Sequence, residues 1–147
     1  MYGDDGIITI NNPSGWGAPG AHSYVYVQGV PGETTTNETY QLTSAGHAPM
    51  GATICGSAGI TLSTGYHTDC GTVIALNVST TEDEDGTYQE VTGLGETNAC
   101  MGTPGASGGP FYKNGVGYGL MSAFVSSCNS LYQGLTGALS EWGVSLY

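Results

Sequence analysis

Short runs of β-branched and aromatic residues, each ended by turn-forming residues, constrain the fold of this chain more than any other feature. These runs predict strands at residues 6–10, 23–27, 39–43, 51–56, 70–79, 88–94, 109–112 and 116–124. Asn114-Gly115 between the last two is the signal of a tight hairpin turn. Only residues 135–142 have the spacing of an amphipathic helix. The pattern predicts an all-β fold, a small antiparallel barrel that ends in a short helix.

The charge of the chain excludes several classes of partner. Its 147 residues are enough for one domain with a single core, and 12 Asp and Glu against 1 Lys or Arg give a formal charge of -11. Nucleic acid is excluded because phosphate binding needs cations that displace counterions. An anionic membrane surface is disfavoured for the same reason, and no apolar run approaches transmembrane length.

The cysteines point to an oxidising compartment. Four of them allow three different disulfide pairings, which the residues alone leave open. No CxxC spacing favours zinc, so we expect neither a metal nor another cofactor. Two disulfides are typical of proteins outside the cytosol, and we therefore expect a secreted, extracellular protein.

A serine among glycines, in residues 105–110, is the part of the sequence with a chemical interpretation. Glycines let the backbone turn tightly and bring its N–H groups close to a bound group. Consecutive donors at Gly105 and Ser107 would then face an anionic oxygen, as an oxyanion hole requires. A Gly/Ser/Pro loop without chemistry explains the composition at least as well, so both interpretations stay open at this point.

The same segment, Gly-Ala-Ser-Gly-Gly-Pro, resembles the Gly-Asp-Ser-Gly-Gly-Pro nucleophile loop of chymotrypsin-fold serine proteases. Its flanks resemble the secreted bacterial branch, the streptogrisins and α-lytic protease, in which Thr-Asn-x-Cys precedes the loop, as residues 97–100 do here. The ending, residues 138–147, is close to the streptogrisin ending. The resemblance covers roughly the whole chain but only about the second half of such a protease. It implies that residues 21–147 form the C-terminal barrel, and that residues 1–20 are a strand and linker left from the missing N-terminal barrel.

The resemblance implies most of a peptide-hydrolysing site. Ser107 would be the nucleophile, and the amides of Gly105 and Ser107 would form the oxyanion hole. The wall that binds a peptide substrate would comprise Ser122, Ala123 and Phe124. The resemblance also implies the disulfides Cys55–Cys70 and Cys100–Cys128, which pair neighbours along the chain.

The sequence matches the other two members of a catalytic triad less well. A serine hydroxyl needs a histidine as base, and a carboxylate must orient that histidine. Asp4 matches the family's catalytic aspartate in a short segment at the start of the chain, where a solvated acid is the alternative. The family's histidine precedes that aspartate, and no histidine here matches it. His47 mimics the motif without the cysteine that should follow, and we expect His22 and His67 at the surface.

Two features depart from the family pattern, an ion pair beside the nucleophile and the substrate wall. The aspartate before the nucleophile is Ala106 here, and the arginine that pairs with it in α-lytic protease-like members is Gly56. Losing both halves of a buried ion pair need not destabilise the loop, whereas losing one would leave a buried charge. Where the family has a Ser-Gly-Gly wall, this chain has Ser122-Ala123-Phe124. The ring of Phe124 is expected to fill or cover the primary pocket unless it turns outward.

These observations predict the nucleophile-bearing half of a secreted serine endopeptidase, inactive by itself because the catalytic histidine is missing. The alternative is a catalytically silent protein of the same fold that binds peptides or self-associates. The expected partners are therefore a peptide or protein ligand, a complementary half-protease, or another copy of the chain. The acidic run at residues 82–86 lacks the alternating spacing of a calcium loop and is predicted to be a solvated hairpin tip.

Overall fold

A computed structural model describes residues 24–27, 38–84 and 86–146 of the chain. The described elements, in chain order, are β1 (Tyr24–Val27), β2 (Glu38–Gln41), β3 (Ser44–Ala45), β4 (Thr53–Ser57), β5 (Thr68–Glu84), β6 (Thr87–Thr97), β7 (Pro110–Lys113), β8 (Val116–Ser126), β9 (Asn129–Gly134) and the helix α1 (Leu135–Trp142). The helix has the predicted boundaries. It is not long and apolar enough to span a membrane, and no other helix within the described ranges is.

Seven of the strands form one sheet in the order β3-β8-β7-β4-β5-β6-β9. Because β8 also pairs with β9, the sheet closes on itself into a barrel. All pairings in the ring are antiparallel, and only the short β3 runs parallel to its neighbour β8. The all-β antiparallel barrel with a short C-terminal helix is therefore confirmed.

The β7–β8 turn shows how the sequence dictates the local backbone. Asn114 and Gly115 have φ angles of 50° and 77°. Positive φ at both central residues is the condition for a type I′ turn, whose twist matches that of the flanking strands. The predicted hairpin turn is confirmed.

The expected end of one strand was wrong, and a second strand, β9, was not predicted. The acidic run does not end β5, which continues through Glu84 and pairs with β6 up to Glu84–Thr87. Charged side chains are compatible with this strand because Thr81 and Asp83 project into solvent. The second strand, β9, has no alternating pattern because closure of the barrel buries Ser130, Leu131, Tyr132 and Gln133 in succession.

Among the described residues, buried apolar side chains form three clusters. The largest lies inside the barrel and comprises Ala48, Ile54, Leu62, Val73, Ala99, Met101, Ala106, Phe111, Met121 and Tyr132. Tyr132 packs against Phe111 with a ring-centroid separation of 5.3 Å, and burial raises the pKa of its hydroxyl to about 12. A second cluster places Val25 of β1 over Cys55, and a third joins Val91, Leu94 and Leu131.

Two disulfides add covalent links. Cys55–Cys70 joins paired residues of β4 and β5. Cys100–Cys128 joins the segment that follows β6 to the turn between β8 and β9. Both pairings are those that the family resemblance implies.

Candidate active site

Two consecutive turns shape the loop around Ser107. In the first, the Ala106 N–H donates to the Thr103 carbonyl oxygen at 3.0 Å, with Pro104 and Gly105 at the central positions. Gly105 has a φ of 96°, as the third position of a type II turn requires. In the second, the Gly109 N–H donates to the Ala106 carbonyl oxygen at 3.0 Å around Ser107 and Gly108.

Backbone N–H groups in this loop alternate between those that have an intramolecular acceptor and those that do not. The amides of Ala106, Gly108 and Gly109 donate to the Thr103, Met121 and Ala106 carbonyl oxygens respectively. Within the described residues, the amides of Gly105 and Ser107 donate to no backbone carbonyl. These two donors are therefore available for an acceptor that is not part of the described protein.

The Ser107 side chain lies against β8. Ser107 is exposed, and its hydroxyl donates a long hydrogen bond of 3.5 Å to the Ser122 carbonyl oxygen. The loop and the strand are also joined by two backbone bonds, from the Gly108 N–H to Met121 O and from the Met121 N–H to Gly109 O, each 2.8 Å. The serine is thus presented to solvent on a loop whose backbone is tied to the barrel.

The segment before the loop is anchored by groups that sequence analysis did not single out. The Cys100 N–H donates to the carboxylate of the buried Asp69 at 2.6 Å, and the Ser130 hydroxyl donates to the Ala99 carbonyl oxygen at 2.9 Å. The Gly102 N–H donates to the Ser127 carbonyl oxygen beside the Cys100–Cys128 disulfide. No local sequence signal reports these contacts, because each joins residues far apart in the chain.

Asn98, in the Thr-Asn-x-Cys motif, has a structural role. Its side-chain oxygen accepts a 2.6 Å hydrogen bond from the Thr72 N–H, and its own N–H donates to the Thr72 carbonyl oxygen at 3.1 Å. Gly71 allows this close approach, since a Cβ there would collide with the Ala99 backbone. The motif therefore sets the start of the loop against β5.

Apolar packing surrounds Ala106 and Gly56, the two positions at which the family resemblance implies an ion pair. Ala106 is 1% exposed and belongs to the barrel cluster. At Gly56, where the family has an arginine, a Cβ would come within 2.8 Å of the Met101 and Phe111 side chains. These two side chains fill the space into which a longer residue would point, so the loop is supported without a charge.

The wall next to Ser107 is formed by β8. Ser122 is buried, Ala123 is half-buried, and the Phe124 side chain is 45% exposed. The Ser122 hydroxyl donates to the carboxylate of Glu82 on β5 at 3.3 Å. Glu82 was predicted only as part of a solvated tip, and its contact with this wall was missed.

The described histidines have hydrogen-bond partners other than Ser107. The exposed His47 is 3.1 Å from the Thr136 hydroxyl of α1. His67 contacts the Ala58 carbonyl oxygen at 3.3 Å and the Thr61 hydroxyl at 3.4 Å. Neither has a hydrogen bond to Ser107. His22, Asp4 and the strand predicted at residues 6–10 lie outside the described residues.

The described part of the chain was compared with the ligand clusters that hold metal ions in proteins. Residues 24–27, 38–84 and 86–146 contain no group of three or more His, Cys, Asp or Glu side chains placed to hold an ion. Asp83 instead accepts a 2.8 Å hydrogen bond from the Gly86 N–H and so closes the hairpin tip.

No protein-family model matches the sequence. Solved protease structures do match the barrel. Thermobifida fusca protease A is 29% identical, with a TM-score of 0.63 over 74% of this chain and 55% of the protease. The chain has the C-terminal barrel fold of the bacterial chymotrypsin-type serine proteases and resembles them over about three quarters of its length.

Other bacterial proteases of this type match to a similar degree. Cellulomonas bogoriensis chymotrypsin is 29% identical with a TM-score of 0.63, covering 75% of this chain and 57% of that enzyme. A glutamic acid-specific serine protease that uses a histidine triad in substrate binding is 28% identical with a TM-score of 0.60, covering 79% of this chain and 63% of its own. The chain thus spans a little over half the length of the chymotrypsin-type proteases it matches.

Proposed function

We propose that this chymotrypsin-type barrel carries the nucleophile and the oxyanion hole of a secreted serine endopeptidase. The catalytic histidine would come from outside the described part, from another segment or from a complementary chain. The alternation of N–H groups around Ser107 is the observation that carries this proposal. Gly105 and Ser107 are exposed, so their amides are open to a ligand oxygen, whereas the amides between and after them have internal acceptors.

The proposed reaction is acyl transfer. The Ser107 oxygen attacks the peptide carbonyl carbon while the histidine takes the hydroxyl proton. The Gly105 and Ser107 amides bind the oxyanion, and the amine leaves with the proton that the histidine returns. Water then hydrolyses the acyl-serine with the same histidine as base. Without a histidine in place, only the contribution of the oxyanion hole and of substrate binding remains, on the order of 10³-fold over water.

Further elements of the proposal are the division of the chain and its location. Residues 1–20 would carry a strand, linker and the orienting carboxylate of Asp4, and residues 21–147 would carry the barrel. The two disulfides and the likeness to secreted bacterial proteases support an extracellular location.

A second candidate is a catalytically silent peptide-binding protein that has kept the groove. Two observations favour it: no described histidine contacts Ser107, and the Ser107 hydroxyl is hydrogen-bonded to Ser122. Binding would use the same β8 wall and would require no base. Self-association through the surface that a second barrel covers in the full-length proteases is a further form of this alternative.

Chemical rescue separates the two candidates. A biotinylated peptidyl phosphonate should label Ser107 slowly in the isolated chain, because nothing withdraws the proton of the hydroxyl. Added imidazole, or a histidine-bearing N-terminal half from a matching protease, should accelerate labelling about tenfold or more. Ser107→Ala should abolish labelling, and Ser63→Ala, which removes another exposed serine hydroxyl, should not. Unlabelled Ser107 under every condition would favour the silent protein.

A further inference from the structure

A cavity of about 180 Å³ lies beside strands β5, β6, β8 and β9. None of the described residues that line it belongs to the loop at residues 103–109 or to the wall at residues 122–124. The cavity is therefore separate from the site proposed around Ser107.

The walls of the cavity are largely apolar. The buried Ala48 and Leu94 contribute aliphatic surface, and Tyr118 and Tyr132 contribute aromatic surface. An apolar cavity of about 150 Å³ engineered into another protein binds benzene, so the volume here suits one six-membered ring. Aromatic rings pack favourably against other aromatic rings, which favours an aromatic over an aliphatic ligand.

An irregularity in the sheet shapes the rim of the cavity. The pairing of β5 with β6 shifts in register between Ala75 and Val78, and Asn77 has a left-handed φ of 57°. Bulges of this kind re-aim side chains and are frequent at the rims of barrels and beside functional sites. Leu76 and Asn77, the residues within the irregularity, both line the cavity and are exposed.

The hydroxyl of Tyr132 is a polar group in the cavity wall without a partner. Tyr132 is 4% exposed, and the described residues provide no hydrogen-bond partner for its hydroxyl oxygen. The end of its ring lies over Gly95, which pairs with it from β6 and lines the same cavity, and a Cβ at this glycine would overlap the hydroxyl. A buried hydroxyl without a partner is destabilising, so a ligand that supplies a partner is favoured.

The cavity favours a neutral ligand. None of its described lining residues is Asp, Glu, Lys or Arg, so none of these groups pairs with a charge bound there. The formal charge of -11 on the chain further opposes an anion. The ligand that these features describe has one ring and one hydrogen-bonding atom.

We propose that this cavity binds a neutral phenol, whose ring fills the apolar space and whose hydroxyl pairs with that of Tyr132. The ring belongs either to a free small molecule or to a tyrosine side chain of another polypeptide, since both present the same chemistry. Binding at this place does not depend on the proposed function and leaves the chemistry at Ser107 unchanged.

Fluorine NMR of the full chain tests the role of the Tyr132 hydroxyl. The probes are para-fluorophenol and para-fluorotoluene, which share the fluorinated ring and differ by a hydroxyl in place of a methyl group. We expect millimolar binding of para-fluorophenol, about fivefold tighter than that of para-fluorotoluene. Tyr132→Phe should reduce this ratio to about one by weakening only the phenol.

Two substitutions on β5 test the location. Leu76→Ala removes a side chain that lines the cavity and is 43% exposed. Ile74→Ala is the matched control, because Ile74 is 39% exposed and is not among the described residues that line the cavity. We expect Leu76→Ala to weaken both probes about threefold and Ile74→Ala to leave both unchanged. Thermal midpoints close to that of the unsubstituted chain would show that the variants are folded.

Competition identifies the source of the ring. Displacement of para-fluorophenol by the peptide acetyl-Gly-Tyr-Gly-amide, but not by its Phe counterpart, would assign the site to a tyrosine side chain of a polypeptide. Displacement by para-cresol but by neither peptide would assign it to a free small molecule. Either result supports the phenol site.

The other outcomes overturn the proposal. Equal affinities of the two probes, or an unchanged ratio in Tyr132→Phe, would show that the hydroxyl does not recognise the ligand. Equal effects of Leu76→Ala and Ile74→Ala would show that binding occurs elsewhere. Absence of binding by both probes would also overturn the phenol site, whereas phosphonate labelling of Ser107 tests the proposed function separately.

Discussion

The nucleophile loop, residues 103–109, and the tip of the β5–β6 hairpin, residues 82–87, approach Ser122 from two sides and are held in different ways. The loop has internal turns, backbone bonds to β8, a buried alanine of its own and a disulfide before it. In the tip, Asp83, Gly86 and Thr87 are exposed, and the described contacts are the Asp83–Gly86 bond and the Glu82–Ser122 bond.

Under the proposed function, the loop would carry the chemistry and the tip would not. An oxyanion hole stabilises charge only if its donors are fixed before the reaction, so a loop that bears the nucleophile needs support from the barrel core. Substitutions in the loop should therefore cost much more stability than comparable ones in the tip.

The largest effect is expected for Ala106→Asp, which restores the family's aspartate without its arginine. The new carboxylate would be buried among apolar side chains, and we expect a loss of about 3–5 kcal/mol in the free energy of unfolding at neutral pH. Urea denaturation measures it. The loss should shrink as the pH falls and the carboxyl group becomes protonated. Ser79→Asp, on the exposed part of β5, should change stability by less than about 0.5 kcal/mol.

A smaller contrast is expected from two Gly→Ala substitutions. At Gly109 the new Cβ would collide with the Ser57 and Ala106 carbonyl oxygens, so we expect a loss of about 2–3 kcal/mol and slower labelling of Ser107. At Gly86, φ is 83° and no atom lies within 4 Å, so only the cost of left-handed backbone remains, about 1 kcal/mol. Equal losses in the two variants would remove the distinction between the loop and the tip.

The effect that is smallest at neutral pH appears only under alkaline conditions and probes the cluster beneath the loop. Because burial raises the pKa of Tyr132 to about 12, its stabilising contribution is complete below the unfolded-state pKa of about 10 and is lost between pH 10 and 12. The loss amounts to about 2–3 kcal/mol. Tyr132→Phe should remove this part of the pH dependence at little cost near neutral pH, since the described residues provide no hydrogen-bond partner for the hydroxyl. Tyr88→Phe, at a tyrosine that is 74% exposed, is the matched control.

Much of the fold was predictable because its determinants are local. Helix α1, the Asn114-Gly115 turn and the Pro104-Gly105 turn each depend on residues adjacent in the chain. The barrel was predicted from the strand pattern and from the family resemblance, whereas the disulfide pairing was predicted through the resemblance, and the structure has both. The roles given to Ser107, Gly105 and Asp4 stay predictions.

The sequence by itself determined most of the strand pattern, the turn residues of the loop at residues 103–109 and the net charge, since these depend on residue type and close spacing. Only the tertiary structure decided that Met101 and Phe111 fill the space beside Gly56, that Asp69 accepts a hydrogen bond from Cys100, and that Glu82 meets Ser122. The physical reason is closure of the barrel. Closure buries β9 without an alternating pattern and brings the acidic β5–β6 hairpin against Ser122 of β8. No local propensity encodes such long-range pairings.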